Sequence, residues 1–243
     1  MNISSAIFDR SAPDLDSCPD ESLPEFAFIG RSNVGKSSLL NMLAGKRGLA
    51  RVSPTPGFTK LINFFTVSKT WRLVDLPGYG FAHVAREDSA RFNEAVLEYL
   101  QHRKNLCCVL ALIDSSLSPQ KIDLEFLGWL TSNSVPFVLV FTKTDTVTPE
   151  KARTNIAAFT GRISGWYERM PEILSCSAMT GQGRRELLVA IEKSLAEPGA
   201  EQPHAEQPRE NAVIIPDDVP APGWPVRATS PRPRKRLNRA RPW

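Results

Sequence analysis

The stretch GRSNVGKS, Gly30 to Ser37, constrains the fold of this chain more than any other feature. It follows the apolar run FAFI and opens SSLLNMLAG, whose apolar residues recur at helical spacing and stop at Gly45. The pattern G-x-x-x-x-G-K-[ST] between a strand and a helix is the sequence form of a phosphate-cradling loop. Its glycines let successive backbone N–H groups turn inward around an anion, and the helix N-terminus adds partial positive charge. In that frame Lys36 reaches the terminal phosphates and Ser37 offers a hydroxyl to magnesium. Such a loop belongs at the carboxyl end of a strand in an open α/β sheet, which excludes all-β and simple helical architectures.

The rest of the chain up to residue 196 agrees. Apolar runs at 26–30, 62–68, 71–78, 106–114, 136–143 and 173–178 alternate with helical spacing at 37–45, 89–104, 118–132, 148–163 and 183–197. The runs 62–68 and 71–78 are close enough for a hairpin, whereas LCCVLALID and PFVLVFTK read as central strands buried on both faces. The expected fold is a mostly parallel, six-stranded sheet with helices on both faces.

Three further elements bear on chemistry. Thr142-Lys143-Thr144-Asp145 ends the strand PFVLVF and fits a T/N-K-x-D guanine motif. A carboxylate there accepts two parallel hydrogen bonds from guanine that adenine cannot offer, and the lysine stem can lie along the purine face. Cys176, Ser177 and Ala178 end the last strand, where the Ala178 N–H can meet the guanine oxygen. Asp75-Leu76-Pro77-Gly78 reads either as a plain turn or as a D-x-x-G switch. In the switch reading the aspartate holds magnesium through water and the Gly78 N–H meets the γ-phosphate.

Composition sets the boundaries. Residues 219–243 carry seven of the 30 basic residues and no acid, whereas 1–218 hold 23 basic against 26 acidic ones. Ten of the 20 prolines lie beyond residue 196. The reading is an N-terminal extension over 1–23, a globular unit over 24–196 and a Pro-rich, basic, disordered tail over 197–243. No apolar run reaches the roughly 20 residues that span a bilayer, and MNISSAIFDR lacks the pattern of a secretory signal, so a cytoplasmic protein without membrane insertion is expected. Cys107 and Cys108 are neighbours in a strand and expected on opposite faces; with Cys18 and Cys176 they read as free thiols in a reducing compartment.

Taken together, GRSNVGKSSLLN, SPTPGFT, INFF, VDLPGYGFA and TKTD resemble the EngB (YihA/YsxC) GTPases, relatives of Era and Der in the TrmE-Era-EngA-EngB-Septin group, over about residues 24–191. The resemblance implies a Ras-like domain, GTP hydrolysis with magnesium, a role in assembling the large ribosomal subunit, and a link to cell division and septation. It implies GTP contacts from Gly30, Arg31, Ser32, Asn33, Val34, Gly35, Lys36 and Ser37, from Gly57, Phe58, Thr59, Lys60 and Leu61 in switch I, and from Asp75, Leu76, Pro77 and Gly78. Thr142, Lys143, Thr144, Asp145, Cys176, Ser177 and Ala178 complete the set. Lys36, Thr59 and Gly78 take the catalytic roles, and Ser37 and Thr59 ligate the metal. Two departures stand out: Phe58 and Lys60 replace the Arg and Gln of the family's TPGRTQ, and the basic tail runs past the family's usual end.

Tyr79 stands where Ras-like enzymes place the glutamine that orients the attacking water, so slow intrinsic turnover aided by a partner or an ion is implied. His83 reads as a solvated switch residue more readily than as a base. Asn33 resembles the P-loop asparagine of potassium-dependent GTPases. The tail is open to three readings: a solvated appendage, a dock for ribosomal RNA, or an anchor to an anionic membrane surface. Two functions follow, a working GTPase switch acting on the large ribosomal subunit or its RNA, and a GTP-dependent binding module that barely hydrolyses; a monomer exchanging GTP and GDP suits both.

Overall fold

The computed structural model describes residues 3–50, 61–79 and 86–196. Switch I residues Gly57, Phe58, Thr59 and Lys60, His83 and the tail lie outside the described residues.

β2 (Glu25–Gly30) is buried along its whole length, and the sheet is assembled around it. It pairs in parallel with β4 (Trp71–Asp75) on one side and β5 (Leu106–Asp114) on the other. β6 (Phe137–Thr142) and β7 (Ile173–Ser175) extend the parallel part. β3 (Ile62–Val67) turns back on β4 as an antiparallel hairpin whose turn is carried by Ser68 and Lys69, both at positive φ. A seventh strand, β1 (Ala6–Ala12), lies antiparallel on the outer edge of β3, giving the order β1-β3-β4-β2-β5-β6-β7.

The sheet thus has one strand more than expected, supplied by the segment read as an extension. β1 has little sequence signature because five consecutive residues face solvent and only Ala6 and Ala12 are buried. The pairing with β3 skips Asp9, and this bulge breaks the two-residue alternation that would have marked the strand. Residues 19–25 are fixed as well. The fully buried Glu25 carboxylate accepts hydrogen bonds from Arg103 Nε (2.8 Å), Arg103 Nη2 (2.7 Å) and the Tyr99 hydroxyl (2.8 Å). Arg103 Nη2 also donates to Pro19 O at 2.8 Å, and Arg72 Nη1 to Asp20 O at 2.7 Å.

Two apolar layers cover the sheet. α2 (Arg86–His102), α3 (Lys121–Ser132) and α4 (Pro149–Ile163) pack Tyr99, Phe126, Leu130 and Phe159 on one face. α1 (Lys36–Ala44) and α5 (Arg184–Ala196) pack Leu39, Leu43, Leu187 and Ile191 on the other. Most helix limits fall within a few residues of expectation: Gly45 ends α1 at φ 63, and the Thr148 hydroxyl caps α4 with Pro149 behind it. α3 begins three residues later than Ser118, because Gln120 is still extended. The expected opposition of Cys107 and Cys108 does not hold: the β2–β5 register skips Cys107, and both thiols pack on the α1/α5 side. None of the four cysteines forms a disulfide, and burial pushes the thiols of Cys108 and Cys176 up to about 12 and that of Cys18 to about 11, so these three are protonated and inert at neutral pH.

Candidate functional site

The carboxyl ends of β2, β4, β5 and β6 converge, and the sequence-predicted loops meet there. Gly30 closes β2 so tightly that a Cβ would lie 2.7 Å from Leu112 O and 2.9 Å from Val34 Cγ1. Asn33 (φ 64) and Gly35 (φ 98) take left-handed backbone conformations that curl the loop, and α1 starts at Lys36 without a side-chain cap, leaving its first N–H groups available to an anion. Asn33 is exposed; Arg31, Ser32, Gly35 and Ser37 are half-buried.

Lys36 is not freely solvated. It is buried and its Nζ forms an ion pair with Asp75 Oδ1 at the end of β4, itself 3% exposed. The two groups expected to serve phosphate and metal therefore satisfy each other here. Beyond Asp75 the D-x-x-G segment is pinned to the P-loop: the Tyr79 N–H donates to Gly30 O and the Ser32 N–H to Tyr79 O, each at 3.3 Å. A Cβ on Gly78 would sit 2.8 Å from Gly30 O, so only glycine allows this approach. Leu76 and Pro77 are buried and shape the turn rather than present side chains to a ligand.

The loop expected to read the base is braced against the same P-loop. The Thr142 hydroxyl is buried and donates to Val34 O at 2.7 Å, so this threonine acts as scaffold. Lys143 (φ 59) lays its stem along Gly35, its Cε 3.8 Å from where a Gly35 Cβ would be, and its Nζ donates to Asp114 Oδ2 at 2.6 Å. Asp114 in turn accepts from Ser116 through its other oxygen, at 2.6 Å from the hydroxyl and 3.0 Å from the N–H. Asp145 is exposed at the rim, and the Thr144 N–H donates to Cys176 O at 3.3 Å, which joins the two segments expected to meet guanine. β7 stops at Ser175, so Cys176, Ser177 and Ala178 form a loop and not the strand end expected. The Ser177 N–H donates to Gln182 O at 3.1 Å, and the Ser177 hydroxyl accepts from the Thr180 N–H at 3.1 Å. Leu61, the last switch I residue proposed, is exposed at the start of β3.

Two residues escaped sequence reading. Asp114 carried a readable signal, an acid closing an apolar strand beside the site. Asp123 carried none: it is 1% exposed inside α3, where it accepts from Arg31 Nε with both oxygens at 3.1 Å and from the Tyr79 hydroxyl at 3.0 Å. Burial, with the Asp123 charge added, holds the Tyr79 phenol well above its usual range, so it stays a donor. Burial also raises the Asp123 carboxyl, against the pull of Arg31. The Tyr79 side chain thus turns into the α3 layer, packed on Phe126 with ring centroids 4.6 Å apart and planes tilted by 31°.

The loop after β7 supplies a stability test. Gly183 sits at φ +78, and a Cβ there would lie 2.2 Å from Ser175 O, whereas a Cβ on Gly161 in α4 meets nothing within 4 Å. Gly183→Ala is expected to cost about 3 kcal/mol or more, while Gly161→Ala gains about 0.5–1 kcal/mol from helix propensity. Denaturant titration of both variants checks the contrast.

Comparison with known proteins gives the same reading as the geometry. Residues 25–143 match the family described as "50S ribosome-binding GTPase". "Probable GTP-binding protein EngB" of Bacteroides fragilis is 44% identical over 192 residues, 79% of this chain and 96% of that protein. The protein of the same name from Cytophaga hutchinsonii is 45% identical over 188 residues, 77% of this chain and 94% of that one. Among solved structures, a probable GTP-binding protein EngB superposes with TM-score 0.56 at 24% identity, covering 71% of this chain and 99% of that one. Era in complex with MgGDPNP and a segment of 16S ribosomal RNA superposes with TM-score 0.57 at 22% identity, covering 71% and 56%. The two structural likenesses speak for the fold alone; the sequence identity, sustained over nearly the full length of its relatives, places this chain in the EngB family of GTP-binding proteins.

Proposed function

We propose that this GTPase hydrolyses GTP with magnesium, slowly on its own, and uses the GTP–GDP cycle to time its part in assembly of the large ribosomal subunit, with normal cell division and septation depending on that step. The observation that carries the reading is the direct hydrogen bond from Thr142 to Val34 O, which ties the P-loop to the loop at 142–145 and supports a single site spanning phosphates and base. Lys36 contacts the terminal phosphates and Gly78 the γ-phosphate, while Asp145 and the Ala178 N–H read the base. Ser37 and Asp75 are oxygen donors suited to magnesium, and Thr59 joins Ser37 as a metal ligand in the triphosphate state. Bound there, the ion neutralises charge on the phosphate oxygens. Support for a ribosomal partner comes from the description of the matching family, which names the 50S particle. The proposed site of action is the cytoplasm, as a monomer; among the described residues no helix is long and apolar enough to cross a membrane.

Tyr79, turned away from the P-loop, favours a second reading: a GTP-dependent ribosome-binding module that hydrolyses little. Single-turnover GTP hydrolysis with and without large subunits separates the two. Acceleration by the subunits supports the first reading, and an unchanged slow rate together with GTP-dependent co-sedimentation supports the second.

Potassium is the ion proposed to supply the missing charge. Asn33 is exposed at the mouth of the P-loop in a left-handed turn, where its amide oxygen can share a cation with phosphate oxygens. GTP turnover is expected to be about tenfold faster in potassium than in sodium at equal ionic strength, roughly 1.4 kcal/mol of barrier. Asn33→Ala is expected to abolish the difference, and equal rates of the parent in the two salts would discard the proposal.

A further inference from the structure

The buried Asp123 carboxylate lies outside every motif, yet it joins two elements of the site that are far apart in sequence. One partner is Arg31, the second residue of the P-loop, whose guanidinium turns away from the loop to reach both carboxylate oxygens at 3.1 Å. The other is Tyr79, the residue that follows Gly78, whose hydroxyl donates to Oδ1 at 3.0 Å. The backbones of the same two partners are already bridged in parallel, through Tyr79 N–H to Gly30 O and Ser32 N–H to Tyr79 O. Gly78 sits inside this bridge with no room for a Cβ against Gly30 O. The placement of the Gly78 peptide is therefore fixed on one side by the chain from Asp75 and on the other by Tyr79.

We infer that Asp123 is a positioning residue for the γ-phosphate contact: by holding Tyr79 and Arg31 together through their side chains, it keeps the Gly78 N–H in register with the P-loop, and so sets how far the protein prefers GTP over GDP. The inference rests on the proposed role of Gly78. A diphosphate makes no use of the Gly78 N–H, so loosening its anchor costs the triphosphate alone. An acid placed only to stabilise the α3 layer would act differently, because its loss would weaken the whole domain and both nucleotides with it.

The test uses the full chain with Tyr79→Phe, which keeps the ring on Phe126 and deletes only the donor, and with Asp123→Asn, which keeps the shape and deletes the charge. Affinities for magnesium-GDP and for a magnesium complex of a non-hydrolysable GTP analogue are measured by competition with a fluorescent nucleotide. Each variant is expected to lose about three- to tenfold in triphosphate affinity while GDP affinity stays within twofold. Adding Tyr79→Phe to Asp123→Asn is expected to change the ratio by less than twofold further, because both act on one contact. Equal losses for the two nucleotides, an unchanged ratio, a ratio shifted toward GTP, or effects that multiply in the double variant would each overturn the inference. If Asp123→Asn does not fold, Tyr79→Phe alone decides the ratio. Loss of all nucleotide binding by Lys36→Ala, run beside them, tests the site itself and does so independently of the ratio.

Discussion

Asp145→Asn is expected to weaken GTP binding at least about a hundredfold and to shift preference to xanthosine triphosphate. The carboxylate is exposed at the rim of the site, on a loop whose neighbours are tied down by Thr142 to the P-loop and by Thr144 to Cys176 O. Its two hydrogen bonds to guanine involve a charged acceptor, worth about 1.5–3 kcal/mol each, so converting it to an amide gives up at least two decades of affinity. The amide presents a donor where guanine also presents one, whereas xanthine offers an oxygen. Because Asp145 is outside the core, melting of the variant is expected to match the parent. Competition binding with GTP and xanthosine triphosphate measures the switch, and unchanged GTP affinity would remove the guanine assignment.

The second large effect concerns Lys36. From sequence, its replacement is expected to impair triphosphate binding far more than folding, since a helix-start lysine facing a ligand has no core role. The ion pair with buried Asp75 changes that expectation. Lys36→Ala strands the Asp75 carboxylate, which is 3% exposed, and breaking a buried pair in this way costs about 3–5 kcal/mol, or on the order of 10 °C in melting temperature for a domain of this size. GTP binding is expected to fall below detection as well. The double variant Lys36→Ala, Asp75→Asn separates the two losses: neutralising the stranded acid restores most of the melting temperature and none of the GTP affinity. A single variant that melts like the parent would mean that Asp75 finds other solvation when its partner goes.

What could be read from sequence was what short segments determine. Gly30, Gly35 and the helix behind them are a local backbone geometry written in consecutive residues, and the same holds for the apolar strands of β5 and β6. The loop 142–145 was found because it ends such a strand. Asp123 and Asp114 were missed because their roles depend on partners far along the chain: Arg31 is 92 residues from Asp123, and Lys143 is 29 from Asp114. Tyr79 was read from its chemistry as a poor substitute for glutamine; the commitment of its side chain to α3 is tertiary and left no trace in the sequence. β1 was missed because a solvent-facing edge strand with a bulge has neither an apolar run nor a steady period.

β1 also bears on where this domain can be cut. A chain shortened to begin at residue 24 would bare the outer edge of β3, where Ile62 to Val67 now pair with Ala6 to Ala12, and would uncover Phe65 beneath Phe8. It would also withdraw the carbonyls of Pro19 and Asp20 from Arg103 and Arg72, leaving two buried guanidinium groups short of acceptors. An unpaired apolar strand edge is a template for addition of further strands, so the trimmed chain would tend to self-associate through β3. The smallest autonomous unit of this fold accordingly starts before Ala6, and residues read as an extension act as its closing selvage.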